Sequence, residues 1–139
     1  MSDGQLQAER VCSWINDNPG KFRALCRIVD GEARRGNPRL TRSRAYSRAE
    51  DEGIRISDGD GTVSETDITR NHNFWPCITR YMVMLQPRRA RTIRFRDSKF
   101  DRVDLASVWW DNVHAGTFFL ARSRDEAKRL CDMDDVSAA

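Results

Sequence analysis

The sequence predicts a mainly α-helical protein with a small β-hairpin, an α+β fold built on a winged-helix-like three-helix core. Three observations predict it. Apolar residues recur at helical spacing in three separated stretches up to Glu52. An Asp-Gly pair then joins two short alternating runs, which is a hairpin signal. Further helical stripes follow, each bounded by a capping residue or a proline. At 139 residues the expected organisation is a winged-helix-like core over 1–101 and a C-terminal helical extension over 102–139, packed on the same domain.

The first helix is expected over Leu6 to Asp17, with Ala8, Val11, Cys12 and Ile15 on one face and Trp14 beside them. "NDNPGK" interrupts it, and Pro19 suits the first turn of the next helix, where its missing N–H costs little. Phe22, Leu25, Cys26, Val29 and Ala33 form the stripe of that second helix, which Gly36-Asn37-Pro38 stops. A shorter third helix is expected at Ser43–Glu52, with Ala45, Tyr46 and Ala49 inward and Gly53 ending it. Ile54–Ile56 and Thr62–Ile68, joined by "SDGDG", make the expected hairpin.

An apolar helix follows, with Asn73 as its N-cap, Pro76 in its first turn and Phe74, Ile78, Tyr81, Met82 and Leu85 buried. Pro87 forces Gln86 out of helical geometry and closes it. Thr92–Arg96 alternates as a strand would, placing Ile93 and Phe95 on one side and Thr92, Arg94 and Arg96 on the other. Asp104–Asn112 reads as a helix with Leu105, Val108 and Trp109 inward. Neighbouring Trp110 must diverge from Trp109 by about 100°. "GTFFLA" is a short buried run, and Ser123-Arg124-Asp125-Glu126 is a capping box opening a last helix.

Composition excludes several classes of function. No run approaches the ~20 apolar residues of a membrane span, and no signal peptide opens the chain, so a cytoplasmic location is expected. The four cysteines, Cys12, Cys26, Cys77 and Cys131, lack metal-ligand spacing and sit among apolar neighbours, as reduced core cysteines do. Neither a metal nor another cofactor is expected. "DGDGTVSETD" fails as a calcium loop starting at Asp58, because Val63 and Thr69 occupy the positions that need glycine and glutamate. His72 lacks a nucleophile or paired-acid motif to work with, so no enzymatic activity is expected.

The net charge of +3 is unevenly distributed. Residues 34–48 carry Arg34, Arg35, Arg39, Arg42, Arg44 and Arg48 and no acid. Residues 88–99 carry Arg88, Arg89, Arg91, Arg94, Arg96 and Lys99 against Asp97. Between them, residues 50–67 hold seven acids, including Asp58, Asp60 and Glu65, against Arg55. In a winged helix the third helix enters the major groove and the wing lies over the flanking backbone. Arg42, Arg44 and Arg48 would then make groove or backbone contacts, with Arg44 and Arg48 one turn apart on a shared face. Arg88, Arg89 and Arg91 leading into Arg94 and Arg96 would form a continuous positive stripe for phosphates. The same arginines also fit a solvated face balanced by the acids of 50–67.

Four stretches, "WINDNPGKF", "ARRGNPRLTRSRA", "ITRNHNFWPCITRYMVMLQP" and "IRFRDSKFD", together resemble small uncharacterised winged-helix-like proteins of bacteriophages and prophages. The resemblance spans roughly residues 14–101. It implies a winged-helix-like architecture and a mobile-element origin, and it carries over no catalytic residue. The expected function is a nucleic-acid-binding regulator acting on double-stranded DNA. The alternative is an anti-CRISPR-like inhibitor that binds a host defence complex through Asp58, Asp60 and Glu65.

Overall fold

The computed structural model describes residues 2–57 and 67–113, and every regular element among the described residues is helical, without a β-strand. Five α-helices appear: α1 (Asp3–Asp17), α2 (Pro19–Arg34), α3 (Arg42–Asp51), α4 (Trp75–Leu85) and α5 (Leu105–Asn112). Short 3-10 turns at Ile68–Arg70, His72–Phe74, Pro87–Arg91 and Lys99–Arg102 connect the later ones. This overturns the expected α+β fold and, with it, the winged helix.

Local chemistry sets each helix. Ser2 accepts from the Gln5 N–H to cap α1, and Pro19 opens α2. Gly36, at φ +73°, turns the chain out of α2 through a conformation that favours glycine. Thr41 accepts from the Arg44 N–H to cap α3. The cap expected at Asn73 is displaced. Asn71 accepts from the Asn73 N–H and caps a 3-10 turn, after which α4 starts at Trp75 with Pro76 in its first turn. Gln86 is extended before Pro87, which ends α4 as the sequence predicts.

The expected apolar stripes do form the core. Ala8, Val11, Cys12 and Ile15 of α1 are buried, as are Phe22, Leu25, Cys26 and Val29 of α2. From α4 and its entry turn, Phe74, Ile78, Tyr81 and Met82 join them, while Leu85 is half-buried. Helix α1 is the hub and packs on α2, α4 and α5. Trp109 of α5 is buried between Phe22 of α2, with ring centroids 5.7 Å apart, and Tyr81 of α4, at 5.2 Å. Trp110 diverges from it and is half-buried. The Tyr81 hydroxyl donates to the Ala8 carbonyl at 3.1 Å and accepts from Cys12 Sγ at 3.2 Å, tying α4 to α1. Burial pushes the Cys12 and Cys26 thiols up to about 11. Cys12, Cys26 and Cys77 are free and buried; Cys131 lies outside the described residues.

Neither expected strand that can be traced is a strand. Ile56 is buried in the core without a ladder partner, and Asp67 caps the 3-10 turn at Ile68–Arg70 instead of extending a hairpin. The hairpin tip, with Asp58, Asp60 and Glu65, lies outside the described residues, as do "GTFFLA" and the capping box at Ser123. The segment 92–98 runs without helix or strand beside 37–40. One backbone bond joins the two, from the Leu40 N–H to the Thr92 carbonyl at 2.9 Å. Pro38 has no N–H to extend that contact into a ladder, and Thr92 Oγ1 instead donates to the Asn37 carbonyl at 2.6 Å. Thr92 and Ile93 are both buried and Phe95 is 42% exposed, so the expected alternation, with Ile93 and Phe95 sharing one side, is not kept.

Candidate nucleic-acid interface

The described basic residues fall into two groups, those held by acids and those that are not. For Arg35, Arg48 and Arg89, two acids of α2 do the holding. Asp30 receives Arg89 in a two-pronged pair, Nε to Oδ1 at 2.7 Å and Nη2 to Oδ2 at 3.1 Å. A third Arg89 donor, Nη1, reaches the Met82 carbonyl at 3.0 Å, and the side chain is 12% exposed. Burial alone would lower the Arg89 pKa, but the bonds to Asp30 outweigh it and raise it further. Glu32, 2% exposed, accepts from Asn37 Nδ2 at 2.6 Å, Arg48 Nε at 2.7 Å and Arg35 Nη1 at 3.2 Å. The Asn37 bond, helped by Arg48 and Arg35, holds the Glu32 carboxyl below its usual range against the opposing effect of burial. Arg48 and Arg89 thus complete ion pairs within the protein. The 3-10 turn Pro87–Arg91 also divides the expected stripe: Arg88 and Arg91 line a hollow with Asp30, Arg34 and Gln86, away from Arg94 and Arg96.

Arg94 and Arg96 enter a different hollow. A groove of about 330 Å³ is lined by Arg39, Leu40, Thr41 and Arg42 on one wall and by Ile93, Arg94, Phe95 and Arg96 on the other. Trp75, Pro76, Thr79 and Arg80 of α4 contribute the third side, with Asp97 and Ser98 at one end. Arg39, Arg94 and Arg96 are exposed, and none forms an ion pair among the described residues. Arg94 Nε donates to the Pro38 carbonyl at 3.3 Å, and Asn37 Oδ1 accepts from the Arg39 N–H at 3.1 Å, shaping the turn that presents Arg39. Arg42 stands where this groove meets a second hollow of about 320 Å³, held by a bond from Nη1 to the Thr69 carbonyl at 2.9 Å and lying over the Tyr46 ring. Arg44 is exposed on α3 and lines neither hollow.

Arg80 fixes the groove wall. Nearly buried, it donates through Nε to Asp101 Oδ1 at 3.1 Å, through Nη1 to the Pro76 carbonyl at 2.9 Å and through Nη2 to the Arg96 carbonyl at 2.9 Å. The Ser98 backbone N–H, then the Arg80 guanidinium, hold the Asp101 carboxyl below its usual range. Arg80 also lies over the Phe95 ring, 4.6 Å from its centroid. His72 is exposed in its 3-10 turn, one residue before Asn73, and takes no part in the groove.

Charge counting along the chain therefore found Arg42, Arg94 and Arg96 but not their meeting, and it assigned no role to Arg39, Arg80 or Phe95. A signal for Arg80 was present, since it is the one charged residue within the otherwise apolar or polar α4. Asn37 and Glu32 give no such signal, because their partners are brought together only by the turn after α2. Among the described residues no helix is long and apolar enough to cross a membrane. Compared with family models, curated proteins and solved structures, the chain matches none.

Proposed function

We propose that this protein binds nucleic acid, with the groove beside α4 as its phosphate-contacting surface. One observation carries the reading. Five arginines, Arg39, Arg42, Arg80, Arg94 and Arg96, line one hollow in which, among the described residues, Asp97 is the only lining carboxylate, and of the five Arg80 alone is paired with an acid, Asp101. Arginine forks match phosphate oxygens in planar, two-pronged geometry, and clustered cations release counterions on meeting a polyanion. The residues proposed to make contact are Arg39, Arg42, Arg94 and Arg96. Arg48 and Arg89 are not among them, since acids of α2 already engage both.

Fluorescence anisotropy with random-sequence DNA, at low and near-physiological salt, tests the reading. Binding should weaken steeply with salt. The Arg94→Ala/Arg96→Ala variant should bind more weakly and show a salt slope smaller by about two, roughly one for each phosphate contact removed. Absence of binding to any nucleic acid at low salt would rule the groove out as such a surface.

A further inference from the structure

We infer that the groove takes an unpaired nucleotide, its base stacked on Phe95 and its phosphates on the surrounding arginines. The inference rests on the nucleic-acid reading above and specifies the form of nucleic acid. Phosphate attraction alone gives no reason for a large aromatic side chain to face solvent. Phe95 is 42% exposed, and with Leu6 it is one of two large apolar side chains so exposed among the described residues. It lies within the arginine-lined groove.

The ring is also held ready. Arg80 covers it at 4.6 Å, and Arg80 is itself fixed by Asp101 and by the carbonyls of Pro76 and Arg96. A cation against the ring fixes its plane by attraction to the π face and leaves the exposed part of the ring as a platform. Leu40, Ile93, Trp75 and Pro76 add apolar lining. An apolar lining under a cationic rim is the chemistry of a nucleotide, a flat base joined to an anion. It is also the general design of single-strand binders, in which aromatic platforms alternate with basic side chains.

Size points the same way. About 330 Å³ is at the small end of pockets that hold one small organic ligand, so the groove has room for a single nucleotide. A base within a duplex presents its edges and keeps its faces stacked on its neighbours, so it cannot lie flat on Phe95. The groove should therefore favour single strands over duplex of the same length.

Anisotropy titrations with labelled oligo-dT, oligo-U, an abasic oligonucleotide of equal length and a duplex test this directly. The wild type should bind oligo-dT or oligo-U about tenfold more tightly than the abasic strand, which keeps the phosphates and lacks the bases. Phe95→Leu should remove that difference while leaving abasic-strand affinity and salt slope unchanged, and Phe95→Trp should restore it. Comparison of oligo-dT with oligo-U tells whether DNA or RNA is the better source of the unpaired base. If wild type and Phe95→Leu bind the oligo-dT, oligo-U and abasic strands equally, or duplex binds as well as single strands, stacking is overturned while the nucleic-acid reading stands. If no oligonucleotide binds at low salt, both fall together.

Discussion

The seam along α2 and the groove beside α4 draw on the same two arginine-rich stretches, yet they differ in kind. In the seam Arg48 and Arg89 meet Glu32 and Asp30, acids that α2 places against α3 and against the turn Pro87–Arg91. In the groove Arg39, Arg94 and Arg96 meet no carboxylate within ion-pair distance among the described residues. The difference teaches that a basic stretch is not a surface. Its charges serve structure where the fold brings acids to them, and they remain available to a ligand where it does not.

That contrast predicts that seam substitutions act on stability and groove substitutions on binding. The largest stability effect should come from Arg89→Ala, which leaves Asp30 and the Met82 carbonyl without their donor. Breaking a buried pair costs several kcal/mol, and partial exposure of Asp30 at 33% lowers the expected loss to about 3 kcal/mol. Urea unfolding measures it. A loss below about 0.5 kcal/mol would mean that Arg89 is not structural and that the division between seam and groove is drawn in the wrong place.

Glu32→Ala should cost somewhat less, about 2 kcal/mol, because Arg48 and Arg35 are 38% and 64% exposed and can turn to water. The same carboxylate makes stability depend on pH. Its folded pKa is depressed, so the unfolded chain takes up the proton first, and acid favours unfolding. The Glu32 contribution is complete above the ordinary glutamate value of 4.5 and is lost as pH falls through the lower folded value. Urea midpoints of wild type and Glu32→Gln should therefore converge on acidification below that value. Parallel midpoints from neutral pH down to pH ~3 would show that the carboxylate is not held ionised by its partners.

The two regions were also unequally legible in the sequence. The helices were readable because an apolar stripe at 3.6-residue spacing reports burial directly: Phe22, Leu25, Cys26 and Val29 are all in the core. Pro87 was readable for a purely local reason, its constraint on Gln86. The expected strand at Thr92–Arg96 failed because period-2 alternation is a short pattern that needs a partner to become a strand. Its neighbour contains Pro38, which cannot donate to a ladder. Phe95 consequently does not share the burial of Ile93, with which the alternation grouped it. The fate of each arginine was the least legible of all. Arg89 pairs across 59 positions with Asp30, and no local spacing announces a contact that α2 and the turn after α4 create together.

The smallest stability effect should be that of Arg94→Ala/Arg96→Ala, within about 0.5 kcal/mol of wild type. Arg94 contributes one exposed hydrogen bond of 3.3 Å, to the Pro38 carbonyl. Arg96 supports the groove wall through its backbone carbonyl, which accepts from Arg80 Nη2, and truncating its side chain leaves that bond in place. Urea midpoint and slope should both stay unchanged while oligonucleotide affinity falls. Should the double variant instead lose more than about 1 kcal/mol, the groove arginines would be structural like those of the seam, and weaker binding could follow from unfolding alone. Unchanged stability with weakened binding separates the two roles, because it removes charge from the groove while leaving every α2 ion pair intact.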